Sequence, residues 1–244
     1  LYRPIGFVKD WPNEYNAAAI LVPTLSENEE YIKNLFPVLN AEKVKANFMV
    51  SPLTAEKKPD LIKSLFKYGE VGALLDIGYL LSVNDTINKL DDFENQFNKV
   101  NDAKTKIGVI KENNIYGIIP AYGLFDENSL KALTQSSMRY IITDSLTDRS
   151  VPRTIIRGNR TVISITKTAR DDYEVIRDFG LTQPEFQLYT YKEDVDRLLF
   201  EGGLYVFKMH TEYQCKPENV NVVKDLVQYM KEKNIWITTA SIYL

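Results

Sequence analysis

The chain has 244 residues but one cysteine, Cys215, and one histidine, His210. A single cysteine excludes a disulfide framework and any zinc site built on cysteine ligands. A single histidine excludes every site that needs two or three imidazoles. Positive charge is not in excess. Thirty Lys and Arg stand against 33 Asp and Glu, a net charge of −3, and a nucleic-acid partner calls for a basic surface instead. Long apolar runs are also missing. The longest, Ala17 to Val22, is far short of the about 20 residues that a membrane-crossing helix needs, so no membrane span is expected. No internal repeat, low-complexity tract or linker divides the chain, which reads as a single domain over 1–244. It opens on Leu1 rather than Met, so other domains of a longer chain are expected beside it.

What is present is a rhythm of short apolar runs and amphipathic stretches. Ala17–Pro23, Lys45–Val50, Gly69–Leu75, Tyr116–Pro120, Arg139–Thr143, Gly203–Met209 and Trp236–Thr239 read as buried strands. Ser26 with Glu29 fits a capping box ahead of a helix through Leu39, which Pro37 should kink or end. Helices are also predicted over Pro59–Lys67, Asp85–Ala103, Glu127–Gln135, Lys192–Phe200 and Glu218–Lys233. Such alternation implies parallel strands joined by crossover helices. Seven or eight units in one chain fit a distorted (β/α)7-8 barrel better than an open sheet. The stretch 147–190 breaks the rhythm. Its β-rich arms, Thr154–Arg157 and Arg160–Thr166, flank Gly158-Asn159, and it is expected to be a β-rich insertion on the rim.

In such barrels chemistry sits at the C-terminal ends of the strands. Those ends carry Thr24, Leu25, Ser51, Asp76, Tyr79, Tyr122, Asp144, Ser145 and His210. Tyr79, Tyr122, Phe125 and Tyr213 offer flat rings near the rim, suited to stacking on sugars.

The strand ends resemble those of the polysaccharide deacetylases, the NodB-homology or carbohydrate esterase family 4 domain, over nearly the whole chain. Ala46-Asn47-Phe48-Met49-Val50 is similar to the family's v-k-A-T-F-F strand, and Tyr68-Gly69-Glu70-Val71-Gly72 to its G-h-E-i-G. Pro120-Ala121-Tyr122-Gly123 resembles the R-x-P-Y-G segment, Thr143-Asp144-Ser145 the D-S strand, and Leu204 to His210 the i-l-x-H strand. The resemblance implies the family's barrel, a glycan partner, a location outside the cytoplasm (secreted, periplasmic or cell surface) and a divalent metal such as zinc.

The departures bear on the chemistry. Where the family's first strand ends in Thr-Phe-Asp-Asp, supplying the general base and a metal ligand, this chain has Val22-Pro23-Thr24-Leu25. The two metal-binding histidines fall on Leu74 and Gly78, and the arginine before Pro-Tyr-Gly falls on Ile119 or Ala121. His210 alone matches, at the position of the catalytic acid. No metal or other cofactor is therefore expected. The leading expectation is a catalytically inactive, pseudoenzyme form of the deacetylase in cell-surface carbohydrate metabolism, a glycan-binding or scaffolding module. Tyr122, Tyr79 and Tyr213 would contact the glycan, and His210 would remain as a vestigial acid. The alternative is an active hydrolase of carbon–nitrogen (N-acetyl) bonds with a remodelled site around His210, Asp76 and Asp144. A third is a purely structural module of a larger surface protein. Asp171 and Asp172 are read as solvated beside Arg170 and Arg177, and Cys215 as a small buried residue. Apolar packing from Leu25 and Leu74 is expected to fill the vacated metal position.

Overall fold

The computed structural model describes residues 11–25, 29–80, 88–111, 114–123, 125–144, 153–157, 159–201 and 203–243. In chain order the elements are β1 (Ala17–Leu25), α1 (Ile32–Glu42), β2 (Ala46–Val50), α2 (Pro52–Lys57), α3 (Pro59–Tyr68), β3 (Gly69–Leu75), β4 (Gly78–Leu80), β5 (Asn88–Leu90), α4 (Phe93–Gly108), β6 (Gly117–Pro120) and α5 (Glu127–Gln135). There follow β7 (Tyr140–Thr143), β8 (Arg153–Arg157), β9 (Arg160–Thr166), α6 (Pro184–Glu201), β10 (Leu204–His210), α7 (Thr211–Gln214), α8 (Val220–Glu232), β11 (Ile235–Thr238) and α9 (Ala240–Tyr243).

The main sheet has the order β10-β1-β2-β3-β6-β7-β9-β8. Every pairing in it is parallel except that of β8 with β9. Strands that follow one another around the sheet in nearly sequence order curl it into an incomplete barrel, as the alternation predicts. β11 pairs with the first half of β1, and β2 takes the last two residues, Thr24 and Leu25. The hairpin of 153–166 is not confined to the rim. β9 pairs with β7 from Tyr140↔Ile163 to Thr143↔Thr166 and is a strand of the wall.

Side-chain parity sorts each strand between two cores. In β1, Ala17, Ala19, Leu21 and Leu25 pack with the helices, while Ala18, Ile20 and Val22 face the barrel interior. There they meet Met49, Ile119, Tyr140, Ile142, Ile165, Leu204 and Val206. Burial on both faces is why these strands read as continuous apolar runs. At the floor, Tyr140 donates its hydroxyl to Glu70 Oε1 (2.7 Å) and accepts from Asn47 Nδ2 (2.9 Å). Asn47 Oδ1 and Glu70 Oε2 in turn accept from the backbone N–H groups of Ala240 and Ser241, which docks α9 under the barrel. Only glycine fits at 117, where a Cβ would stand 1.9 Å from the Tyr140 ring.

The sheet order ends in β10 and β8, and between β10 and the end of β9, beyond the stretch that β8 covers, no backbone ladder occurs among the described residues. Side chains bridge this seam. The Thr168 hydroxyl donates to Leu204 O (2.7 Å) and accepts from Val206 N (3.0 Å), and Arg197 donates to Thr168 O (2.8 Å).

Several boundaries differ from expectation. α4 starts at Phe93 rather than Asp85, because the Asp92 side chain caps it by accepting from Asn95 N (2.9 Å). α6 begins at Pro184, eight residues ahead of Lys192, since its buried face includes Gln187, Thr190 and Asp194, which hide the apolar period. α1 continues through Pro37 to Glu42 and ends at Lys43 in the left-handed region (φ 51°). Ser26 of the expected capping box, Ser145 and Gly158 lie outside the described residues.

Candidate functional site

His210 ends β10 and is paired in register with Thr24 at the end of β1. Thr24 spends its hydroxyl as a donor to Met209 O (3.2 Å). Across the seam, Asp172 reaches His210 twice. Its Oδ2 accepts the backbone N–H (2.7 Å), and its Oδ1 lies 2.7 Å from ring Nδ1. Asp172 is fully buried and Asp171 nearly so, which corrects the solvated-loop reading of this doublet. The residues around it are fixed by their own contacts. Asp171 Oδ1 accepts from Glu174 N and Glu174 Oε2 from Asp171 N, both at 2.9 Å. Lys167 Nζ bridges Asp171 (3.0 Å) and Glu174 (2.8 Å), and Arg170 holds Asp194 through two guanidinium nitrogens. This bracing delivers Asp172 under the imidazole at the head of the π-turn Tyr173–Asp178.

The pair alters both groups. Burial opposes the imidazolium, but the hydrogen bond and charge of Asp172 outweigh it, so His210 titrates above its ordinary value, while the Lys208 charge pulls the other way. Burial lifts the Asp172 carboxyl above the usual carboxylate range despite that bond. With Nδ1 committed to Asp172, Nε2 is the nitrogen left for a ligand, and no described residue hydrogen-bonds it. Three rings gather here. Tyr173 lies 5.4 Å from the imidazole, and Tyr213 stands edge-on to both, at 5.6 Å from Tyr173 and 6.4 Å from His210. Arg177 covers Tyr173 from 4.1 Å.

The sequence-predicted residues divide as follows. His210 and Tyr213 are adjacent, whereas Tyr173 was not anticipated. Asp144, at the end of β7, pairs with Lys208 of β10 (2.9 Å). Asp76 is exposed at the end of β3, and its carbonyl accepts from Lys99 (2.7 Å). Tyr79 and Tyr122 lie on β4 and in the turn Ala121–Gly123, but their side chains are outside what the structure describes. Leu74 packs against the interior core. Leu25 faces the helices instead, so it does not fill the mouth, because its parity on β1 is odd. Cys215 is buried, and burial pushes its thiol pKa up.

A metal does not fit this donor set. Among the described residues no group of three His, Cys, Asp or Glu side chains is placed to hold an ion, and three protein ligands are the usual minimum for a catalytic one. Asp76, Asp144 and His210 are therefore not assembled as a three-ligand centre. A cavity of about 300 Å³ does open elsewhere, between Lys45, Glu70, Tyr116 and Ser241. It lies at the opposite strand ends from His210, and its carboxylate is already engaged by Tyr140 and Ser241.

No family model matches the chain, and neither does any curated protein sequence. Solved structures do. A Mycobacterium smegmatis protein assigned as a polysaccharide deacetylase superposes with a TM-score of 0.79 at 16% identity, covering 99% of this chain and 93% of that one. The chain has the polysaccharide-deacetylase fold. The allantoinase Puue shares this deacetylase fold (TM-score 0.78, 13% identity, 99% and 96% covered). So does a Bacillus anthracis pseudoenzyme of carbohydrate esterase family 4 (TM-score 0.62, 13% identity, 92% and 64% covered). One deacetylase-type scaffold thus carries several outcomes, and function must be argued from the site. Among the described residues no helix is long and apolar enough to cross a membrane.

Proposed function

We propose that this chain is a non-catalytic domain of deacetylase fold that binds glycan at the mouth around His210, in cell-surface carbohydrate metabolism outside the cytoplasm. One observation carries the reading. The mouth keeps an oriented imidazole with two aromatic neighbours, while the positions that would furnish base and metal hold Thr24, Leu74 and Gly78. Hydrolysing an acetamide needs an activated water and a stabilised oxyanion. A bound metal supplies both, lowering the pKa of its water from about 15.7 to about 7. A lone acid contributes only about 10²–10⁴-fold, well short of enzymatic rate enhancements. What this mouth retains suits recognition: His210 Nε2 for a sugar hydroxyl, and Tyr173 and Tyr213 for ring faces.

Calorimetric titration with N-acetylated and deacetylated amino-sugar oligomers tests this. Binding to wild type that weakens about tenfold or more in Tyr213→Ala is expected, a loss of about 1.4 kcal/mol. Absence of binding to any oligomer contradicts the reading. The buried Asp172–His210 pair favours a second reading, a metal-free hydrolase of carbon–nitrogen bonds; release of acetate by wild type and not by His210→Ala would establish it.

A further inference from the structure

The interior face of β10 is apolar at Leu204 and Val206 and then carries Lys208 and His210 at the same parity. A lysine on an inward face is costly to bury, and an aliphatic residue of similar length fills such a position at lower cost. Yet Lys208 is held there, its side chain 11% exposed and its ammonium 2.9 Å from Asp144 Oδ2. Asp144 is itself pressed from behind. Gly123 sits so close (φ +66°) that a Cβ there would lie 2.7 Å from the Asp144 Cβ.

A second lysine–aspartate pair, Lys167 with Asp171, lies within electrostatic reach of this one. Lys167 bonds Asp171 and feels the charge of Asp144, while Lys208 bonds Asp144 and its charge favours ionised Asp171. Two lysines and two aspartates thus alternate within the wall. An ammonium has three N–H donors, and only one acceptor, Asp144 Oδ2, is met by Lys208 among the described residues. Lys208 is also level with Val22 of β1, in the strand end that holds Val22-Pro23-Thr24-Leu25 and offers no metal ligand.

We propose that Lys208 supplies the mouth's fixed positive charge in place of a metal ion, and that its ammonium donates to a carbonyl or carboxylate oxygen of the ligand while His210 Nε2 accepts from a neighbouring hydroxyl. The proposal rests on the ligand-binding reading above and names the chemistry it recognises. A tethered cation needs no ligand set and is oriented before binding, as electrostatic recognition of a developing or resident negative oxygen requires. The oxygen can belong to an acetamido group or to the carboxylate of an acidic sugar.

The single histidine makes the test direct, since the imidazole proton resonances belong to His210 alone. Wild type, Lys208→Gln and Lys208→Arg are titrated with an N-acetylated amino-sugar tetramer, a uronic-acid tetramer and sodium acetate, with His210 shifts as the readout. Lys208→Gln is expected to bind the preferred ligand about tenfold to a hundredfold more weakly, and Lys208→Arg within a few-fold of wild type. In the unliganded protein Lys208→Gln should also titrate His210 at higher pH, because the Lys208 charge opposes the imidazolium; the dependence of ligand binding on Lys208, rescued by Lys208→Arg, is what a merely structural lysine would not produce. The joint replacement Lys208→Met with Asp144→Leu removes both charges together and should show the same loss if the single variant does not fold. Acetate binding that depends on Lys208 without binding of either tetramer supports the lysine and overturns the glycan reading. Binding by Lys208→Gln within twofold of wild type overturns the proposal, as does failure of wild type to bind any of the three probes.

Discussion

Replacing Asp172 by Asn isolates what this buried carboxylate does for His210. The native side chain accepts two hydrogen bonds of 2.7 Å, one from the backbone and one at Nδ1. An amide has one accepting and one donating end. If its oxygen keeps the backbone N–H, its NH2 faces Nδ1, which must then be the unprotonated nitrogen, and the ring proton moves to Nε2. A charge-assisted bond contributes about 1.5–3 kcal/mol against about 0.5–1.5 for a neutral one. The difference is about 1–2 kcal/mol, or roughly one pH unit in the imidazole titration. His210, raised chiefly by Asp172 against the effect of burial, should therefore titrate about one unit lower. Nitrogen and proton NMR of the single imidazole reads both quantities. Wild type should show the Nδ1–H tautomer and Asp172→Asn the Nε2–H tautomer. An unchanged tautomer and an unchanged titration would refute the reasoning. Asp172→Ala goes further, leaving the His210 N–H and the imidazole without their acceptor. The cost is about 3–5 kcal/mol, a fall of about 6–20 °C in Tm for a domain of this size.

The raised titration of His210 means that its stabilising contribution is complete below about pH 6.5 and is lost as pH rises through the folded value. The burial-raised Asp172 has the same sign, because the folded state again binds its proton more tightly. Urea midpoints should accordingly be higher at about pH 6 than at about pH 8, with the difference reduced in His210→Gln. Thr168→Val removes the hydroxyl that satisfies Leu204 O and Val206 N across the seam. It should cost about 2–4 kcal/mol and speed amide exchange at Val206, whereas Thr168→Ser should not. Gly117→Ala puts a methyl 1.9 Å from the Tyr140 ring and should lower the unfolding free energy by about 1–3 kcal/mol or more, read as a lower urea midpoint.

Much of the barrel is legible because both faces of its strands are buried. Ala17–Val22, Ala46–Val50 and Leu204–Phe207 read as apolar runs for that reason. The start of α6 is not legible, since Gln187 and Asp194 are buried polar residues with partners far along the chain, Asn219 and Arg170, while Thr190 is satisfied within its own helix by Phe186 O. Within the site, His210 and Tyr213 stand out as residue types at a strand end. Asp172 does not. An acidic doublet beside arginines looks solvated until Arg170 finds Asp194 and Lys167 ties Asp171 to Glu174. Lys208 was available to sequence reading: it interrupts the run Leu204–Met209 at the parity shared by Val206 and His210. The direction of Leu25 follows from the same alternation along β1, counted from Leu21.

The most direct measurement of a metal-independent binding mouth is calorimetric titration of one N-acetylated amino-sugar oligomer into the protein, first with a chelator and then with added zinc, with acetate assayed in both cells. Equal affinity in the two conditions and no acetate released is the result predicted. Binding or acetate release that appears only when zinc is present would contradict it.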